Sequence, residues 1–215
     1  MNILSIDTAT SSHSIALSIN DQVSMTNLDD TTQSDLLFFE INSLLQKANV
    51  DYKDLDRILC TIGPGSFTGI RIGISAIRGI KATLPTTTIV GFTTLEIMAF
   101  AHNQTEHIHT NFYTTINAFS DELYVQQFDY NTLALSEILV LPKSSFINNQ
   151  TSDTLVSNDN PILTFFNNKN IDTKFIQYNA TTLLEYHKQF PERTQQVKPL
   201  YIKKPNIHHG AFTKS

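Results

Sequence analysis

The order of strand and helix patterns in the first hundred residues predicts an α/β fold. NILSID is an apolar, strand-like run, and SIALSI alternates large apolar with small residues at period two, so together they predict a hairpin. A third strand is predicted from about residue 22 to 28, and three helices then alternate with two short apolar strands. The order βββαβαβα predicts an antiparallel meander that is extended by parallel βα units.

The elements after the meander follow from apolar periodicity. Helices are predicted at about 33–49, 68–84 and 94–102, and the strands between them lie in RILCTIG and TTIVG. Each strand is short, apolar and bounded by turn residues, which is typical of a buried parallel strand.

The second half predicts a smaller unit. AHNQTEHIHTN is polar and marks a boundary, and FYTTINAFSDELYVQQFD then repeats the strand–turn–strand layout of the first hairpin. We therefore predict two lobes, residues 1–103 and 104–215. The remaining sequence is rich in asparagine and predicts only a helix in TTLLEYHKQF, a strand in PLYIKK and a disordered tail.

Composition limits the class of protein. The 215 residues are 40% hydrophobic and can fill a core, while the net charge of -5 argues against nucleic-acid binding by the surface as a whole. The N-terminus MNILSIDTATSS lacks the features of a signal peptide, and no apolar run is long enough to span a membrane. We expect a cytoplasmic protein, in which the single Cys60 is a buried small residue.

The predicted helix 68–84 has two apolar sides and only a narrow polar edge. Ile70, Ile74 and Ile77 share one side. The neighbouring side is made largely of small residues, namely Gly69, Gly73, Ala76 and Ile80. Small residues allow a second helix to approach closely, and that helix could belong to the same domain or to a partner.

The predicted helix 33–49 also carries more apolar surface than one sheet contact requires. Leu36 and Phe39 lie outside its main apolar arc, among polar residues. Two helices with such extra faces are typical of an intermolecular helix bundle. The predicted partner surface comprises Leu36, Phe39, Gly69, Ile72, Gly73, Ala76 and Ile80.

The loop GPGSFTG and Asp7 are the candidate chemical groups. The loop could bind an anion through backbone N–H groups and hydroxyls, and its candidate residues are Gly63, Gly65, Ser66, Thr68 and Gly69. No lysine follows it, and the alternative is a tight turn with Ser66 or Thr68 as N-cap. Asp7, at the end of the first strand, could project into a cleft or cap the following turn.

A metal site is the weakest candidate in the sequence. His102, His107 and His109 lie close together, but no cysteine or carboxylate ligand accompanies them at a suitable spacing. We predict no metal, and a metallopeptidase is a minor alternative.

Three stretches, ILSIDTATSSHSIALS, QSDLLFFEINSLLQKANVDYKDLDRI and GPGSFTGIRIGISAIRGI, resemble the TsaB (YeaZ) family of bacterial tRNA-modification proteins. PLYIKK is similar to the ending of that family. The resemblance implies a two-lobed fold of the actin, hexokinase and Hsp70 type (ASKHA, ribonuclease H-like), here with a truncated second lobe. In the second hairpin, Asn117, Ala118 and Phe119 replace the Asp-Ala-Arg of many relatives.

The resemblance also implies a role in making N6-threonylcarbamoyladenosine in tRNAs that read A-starting codons. Family members are non-catalytic: they pair with TsaD, join the ATPase TsaE, contact tRNA through the complex and form homodimers when isolated. ATP and the metal ion belong to the partners, and this chain has Gln33 and Leu37 where TsaD could place metal-binding histidines. The alternative is a stand-alone nucleotide-binding enzyme of the same fold that uses GPGSFTG.

Overall fold

The computed structural model describes residues 1–10, 13–28, 34–105, 109–119, 121–149 and 153–202. Three positions of the sequence analysis lie outside these ranges, namely the candidate metal ligand His107, residue Gln33 and the tail from residue 203. Within the described residues, the strands form two five-stranded sheets, one in each lobe.

The first sheet has the predicted meander and parallel extension. Its strands are β1 (Asn2–Asp7), β2 (Ser14–Ile19), β3 (Gln22–Asn27), β4 (Arg57–Thr61) and β5 (Thr88–Phe92). They are ordered β3-β2-β1-β4-β5, with β1 antiparallel to β2 and parallel to β4. Two registers, Ile6 opposite Ile15 and Ile6 beside Cys60, align apolar residues on one face.

The helices of the first half are α1 (Ser34–Lys47), α2 (Phe67–Thr83) and α3 (Thr94–Thr105), and a short 3₁₀ helix (Tyr52–Asp54) precedes β4. Alternate strand residues separate the two faces of the sheet. Leu4 and Ile6 join the core beneath α1 and α2, whereas Ile3 joins the core around α3. The predicted helices and strands of this half are thus confirmed within a few residues.

The second sheet repeats the topology of the first. Its strands are β6 (Phe112–Asn117), β7 (Glu122–Phe128), β8 (Leu139–Pro142), β9 (Thr154–Ser157) and β10 (Thr173–Phe175), in the order β10-β9-β6-β7-β8. β6 is antiparallel to β7 and parallel to β9, as β1 is to β2 and β4. Two such sheets make the α/β fold that the sequence pattern predicts, in the two-lobed, actin-like arrangement that the family resemblance implies.

The expectation of an irregular second half is wrong. It contains β8, β9, β10, α4 (Lys143–Asn149) and α5 (Asn160–Asn167), in addition to α6 (Ala180–Gln189). These strands have only three or four residues, so period-two alternation cannot reveal them, and they depend on pairing with β6 and β7. The two sheets have the same number of strands, but α4 and α5 have only seven and eight residues, whereas α1, α2 and α3 have 14, 17 and 12.

Helix α6 returns to the first lobe and covers the second face of its sheet. The Ser5 hydroxyl donates to the Ala180 carbonyl at 2.7 Å, and the Ala180 N–H donates to the Ser14 hydroxyl at 2.9 Å. Tyr186 is fully buried and makes edge contacts with the rings of Phe92 and Phe100. Helix α3 packs against α6 and against β6, so one apolar core joins both sheets.

The C-terminal segment also packs on the first lobe. Leu200 N–H donates to the Ile62 carbonyl at 2.9 Å, and Arg78 donates from Nε and Nη2 to the Val197 carbonyl at 3.1 and 2.9 Å. The strand predicted in PLYIKK is absent from residues 199–202, and its last two residues lie outside the described ranges. Arg78 of α2 therefore holds the segment around Val197 against the first lobe.

Near the start of α2, the side of the helix that carries small residues packs against the first lobe. A Cβ added to Gly69 would overlap the backbone oxygen of Thr8, and one added to Gly73 would overlap the Thr8 hydroxyl. Their predicted role in admitting a partner's helix is wrong, because the turn after β1 already occupies that space. Gly79, by contrast, is exposed, and an added Cβ would have no neighbour within 4 Å.

No helix in the described part of the chain is both long and apolar enough to cross a membrane.

Gly69→Ala and Gly79→Ala form a matched pair of substitutions in one helix. Gly69→Ala is expected to lower the free energy of unfolding by about 1–3 kcal/mol, because the methyl group forces α2 away from Thr8. Gly79→Ala is expected to raise it by about 0.5–1 kcal/mol through helix propensity alone. Urea denaturation measures both, and stabilisation by Gly69→Ala would contradict the close packing.

Candidate functional site

An exposed apolar surface lies where α1 and α2 run side by side. Phe39 is 64% exposed, Phe67 49%, Leu36 47% and Phe38 38%, whereas the neighbouring Leu37 is 1% exposed and packs into the core. We call Leu36, Phe38, Phe39, Phe67 and the half-buried Ile72 the α1–α2 surface. Exposed aromatic side chains in such a group are typical of a protein interaction site.

Two hollows lie along the α1–α2 surface. The first has a volume of about 420 Å³, and its lining includes Phe67, Ile72 and Ala76. The second, of about 480 Å³, includes Tyr52, Gly79 and Ile80. Phe38 lines both hollows.

The predicted interface residues divide into three groups. Leu36 and Phe39 are exposed as predicted, and Ile72 is half-buried at the first hollow. Ala76 and Ile80 are 5% and 6% exposed and lie at the floors of the hollows. Gly69 and Gly73 are buried against Thr8 and take no part in this surface.

Sequence reasoning missed several residues of the α1–α2 surface. It placed only Leu36 and Phe39 of α1 on the exposed side, so it did not include Phe38, and it did not include Phe67. It also missed the exposed row of small residues on α2, made by Ser75, Gly79 and Ala82. Their spacing of four and then three residues indicates that they share one side of a helix. Only the packing of α2 on its sheet shows that this side, and not the other side with small residues, faces outward.

A side-chain stack extends the α1–α2 surface to the C-terminal segment. The Arg71 guanidinium carbon lies 3.7 Å from the centroid of the Phe67 ring, and Arg71 Nε donates to the Tyr201 hydroxyl at 3.0 Å. Phe67 and Tyr201 are about half exposed. Arg71 therefore links the exposed Phe67 ring of α2 to the Tyr201 side chain of the C-terminal segment.

A second concave region is the cleft between the lobes. Its volume is about 380 Å³, and it is lined by Ala9, Thr10, Gly65, Ser66, Ile116, Asn117, Phe119, Asn158, Asp159, Asn160 and Pro161. The lining mixes polar and apolar residues, and its described residues include no lysine, arginine or histidine. The described lining therefore offers an incoming phosphate no side-chain cation.

The loop that precedes α2 is closed onto the turn after β1. The Ser66 N–H donates to the Ala9 carbonyl at 2.7 Å, and the Ser66 hydroxyl accepts from the Gly69 N–H at 3.2 Å. Gly63 and Gly65 have φ values of 107° and 152°, which favour glycine. Ser66 is thus the N-cap of α2, while Thr68 is exposed, and anion binding by this loop stays a prediction.

Asp7 is buried beneath the cleft and does not line it. Its Oδ1 accepts from the Thr61 hydroxyl at 2.6 Å and from the Ala9 N–H at 3.1 Å, and its Oδ2 accepts from the Thr10 hydroxyl at 3.4 Å. Asp7 therefore caps the turn that follows β1, which is one of its two predicted roles. The other predicted role, projection into the cleft, is wrong. Burial raises the pKa of Asp7, although the hydrogen bonds from Thr61 and Ala9 oppose this shift.

The histidines of the metal prediction do not form a ligand group in the described residues. His102 is buried on α3 with its ring 4.9 Å from the Phe112 ring centroid, and His109 is exposed. His107 lies outside the described ranges. Across the residues that the structure describes, no three His, Cys, Asp or Glu side chains are grouped to hold a metal ion.

The buried Asp7 carboxyl predicts a pH dependence of stability. Its folded-state pKa lies above the ordinary value of 3.8, so the folded protein binds more protons than the unfolded chain between those two values. The contribution of Asp7 to the free energy of unfolding is therefore greatest at low pH and falls as pH rises through this window. Asp7→Asn removes this dependence.

Asp7→Asn is consequently expected to gain stability relative to the parent chain as the pH rises above the ordinary Asp7 pKa of 3.8. Chemical denaturation at several pH values measures the difference. Asp121→Asn, at an exposed aspartate, controls for the general loss of one negative charge. A difference that shrinks as pH rises would show that the Asp7 pKa is lowered by folding.

Comparison with known proteins identifies the family. The family model described as "TsaD: tRNA N6-adenosine threonylcarbamoyltransferase" matches residues 34–141, which is just over half of the chain. The matched region includes α1 and α2, so both helices of the α1–α2 surface lie within it.

Curated relatives match the chain in part. The "tRNA threonylcarbamoyladenosine biosynthesis protein TsaB" of Haemophilus influenzae is 29% identical over 130 residues, covering 59% of this chain and 53% of the relative. The protein of the same name from Escherichia coli K12 is 33% identical over 105 residues, covering 46% and 43%. The chain thus spans about half the length of the curated relatives it matches.

The fold matches over nearly the whole chain. The solved structure of YeaZ from Pseudomonas aeruginosa aligns with a TM-score of 0.75 at 20% identity, covering 94% of this chain and 99% of that one. This likeness shows a shared fold over both halves of the chain. The chain belongs to the TsaB/YeaZ group of the family that the TsaD model describes.

Proposed function

We propose that this protein is a non-catalytic subunit in the formation of N6-threonylcarbamoyladenosine in tRNAs that read A-starting codons. In this proposal it pairs with TsaD and supports the transferase activity of that subunit. The observation that carries the proposal is the exposed α1–α2 surface in a chain of the TsaB/YeaZ group.

The shape and chemistry of the α1–α2 surface favour a helical protein partner. Phe39 and Phe67 are exposed aromatic anchors, and the two hollows beside Phe38 can accept side chains from another molecule. Ser75 and Gly79 leave α2 without bulk on its outer side, so a partner's helix can approach closely. A matching apolar helix pair on TsaD would fit this surface.

The described residues of the cleft include no basic side chain and no accessible Asp7 carboxylate, which supports the non-catalytic part of the proposal. Asp7 is buried and hydrogen-bonded to its own turn, and the N–H groups of Ser66 and Gly69 are already engaged. ATP and a metal ion would then belong to the partner subunits, with TsaE joining the pair. We expect tRNA to be contacted through the assembled complex in the cytoplasm, and homodimers to form through the α1–α2 surface when TsaD is absent.

Substitution at the α1–α2 surface tests the proposed pairing. Phe39→Asp is expected to weaken binding to TsaD at least tenfold, because it removes an exposed aromatic anchor and adds a charge that binding would desolvate. Gly79→Leu is expected to act similarly by blocking the approach of a helix, while leaving the fold intact. Co-purification and calorimetric titration with TsaD measure both effects.

Phe175→Asp is the matched control for this experiment, because Phe175 is 50% exposed but lies on β10 in the second lobe. It should bind TsaD as the parent chain does. Wild-type binding by folded Phe39→Asp and Gly79→Leu would refute pairing through this surface. Failure of the parent chain to bind TsaD at all would refute the proposed function.

A nucleotide-binding enzyme that uses GPGSFTG is the alternative function. We expect calorimetric titration of the isolated chain with ATP and Mg²⁺ to give no tight binding, since the cleft lining offers no cation to the phosphates. Saturable binding that is lost in Ser66→Ala but retained in Phe39→Asp would favour the alternative.

A further inference from the structure

A separate cavity of about 400 Å³ lies at the end of the first sheet, under the C-terminal half of α6. It is lined by Met1, Ile3, Ser18, Asp21, Val23, Arg57, Leu184, Glu185, His187, Lys188 and Pro191. It shares no lining residue with the interlobe cleft or with the hollows of the α1–α2 surface. Its size is that of a small-molecule site.

One of the charged groups that line this cavity is the guanidinium of Arg57. Arg57 is half-buried at the start of β4, and its Nη1 donates to His187 Nε2 at 2.7 Å. No carboxylate among the described residues pairs with Arg57. Because a guanidinium has five N–H donors in a planar fork that suits a carboxylate, most of its donor capacity is open to a ligand.

His187 holds Arg57 in place and must be neutral to do so. An arginine can only donate, so the lone pair of His187 Nε2 accepts and the ring proton is on Nδ1. Burial and the nearby charge of Arg57 both lower the pKa of His187, which keeps this form at neutral pH. His187 Nδ1 is buried without a hydrogen-bond partner in the described part of the chain.

The remaining lining determines the class of ligand. Ile3, Val23 and Leu184 provide apolar walls. Lys188 is engaged by Asp21 at 3.1 Å, and Glu185 adds a second carboxylate to the lining. The two carboxylates repel a dianion such as phosphate. Among the described lining residues, Arg57 is the one cation without a carboxylate partner, and a single positive charge suits a monoanion better than a dianion.

We propose that this cavity binds a small organic monoanion with an apolar body, namely a monocarboxylate whose carboxylate contacts Arg57 and whose apolar part lies against Ile3, Val23 and Leu184. The site is on the opposite face of the sheet from the α1–α2 surface, and the proposal does not depend on pairing with TsaD.

Octanoate is a suitable probe, and octanol of the same chain length is its neutral control. We expect saturable octanoate binding in calorimetric titration of the full chain, with chemical-shift changes in amide NMR spectra at Ile3, Arg57 and Leu184. Arg57→Gln is expected to weaken octanoate binding at least tenfold, since it removes the charge-assisted hydrogen bonds. Octanol should bind at least tenfold more weakly than octanoate to the parent chain.

Two further variants keep the test decisive. Val23→Glu places a like charge in the cavity on an exposed edge-strand position, so it should abolish octanoate binding even where Arg57→Gln fails to fold. Arg71→Gln, which removes an arginine that lines a hollow beside the α1–α2 surface, should leave binding unchanged.

Equal binding of octanol and octanoate would overturn the proposal. Unchanged octanoate binding by folded Arg57→Gln or by Val23→Glu would also overturn it, as would the absence of saturable binding. Chemical-shift changes confined to Phe39 and Phe67 would assign the octanoate to the α1–α2 surface and would likewise overturn it.

Discussion

Gly69 of α2 lies so close to the carbonyl oxygen of Thr8 that no side chain fits between them, and Gly73 lies against the Thr8 hydroxyl one turn later. This contact brings the start of α2 down onto the turn after β1. Ile70, Ile74 and Ile77 then face the sheet, and Ser66 caps the helix from a loop that is itself bonded to Ala9. The outward direction of every other residue of α2 follows from this placement.

This placement of α2 explains how one helix can contribute side chains both to the core and to the exposed α1–α2 surface. Because the glycines near its start are used inside the lobe, α2 turns Phe67, Ser75 and Gly79 outward next to α1. Arg71 and Arg78, on the edge between these faces, hold the C-terminal segment through Tyr201 and the Val197 carbonyl. The polar edge is therefore structural, and the apolar side chains beside it remain available to a partner.

The opposite face of the first sheet is completed by residues from the far end of the chain. Ser5 and Ser14 bond to the first residue of α6, and Tyr186 fills the core between Phe92 and Phe100. The two lobes consequently share one core, although each has its own sheet. Where the last turns of α6 pass over the amino ends of β1 and β4, Arg57 and His187 meet in a cavity that neither half of the chain could form alone.

The sequence alone predicted the first sheet and its helices, because apolar periodicity and turn residues are local signals that survive without knowledge of the partner elements. It also predicted the exposure of Leu36 and Phe39, which stand among polar residues on α1. Tertiary structure decided the rest. The strands β8 to β10 exist only through pairing, the direction of the α2 glycines depends on Thr8, and Asp7 is buried because Thr61 and Ala9 supply its hydrogen bonds. Long-range contacts of this kind leave no periodic trace in the sequence, since they join residues that are far apart along the chain.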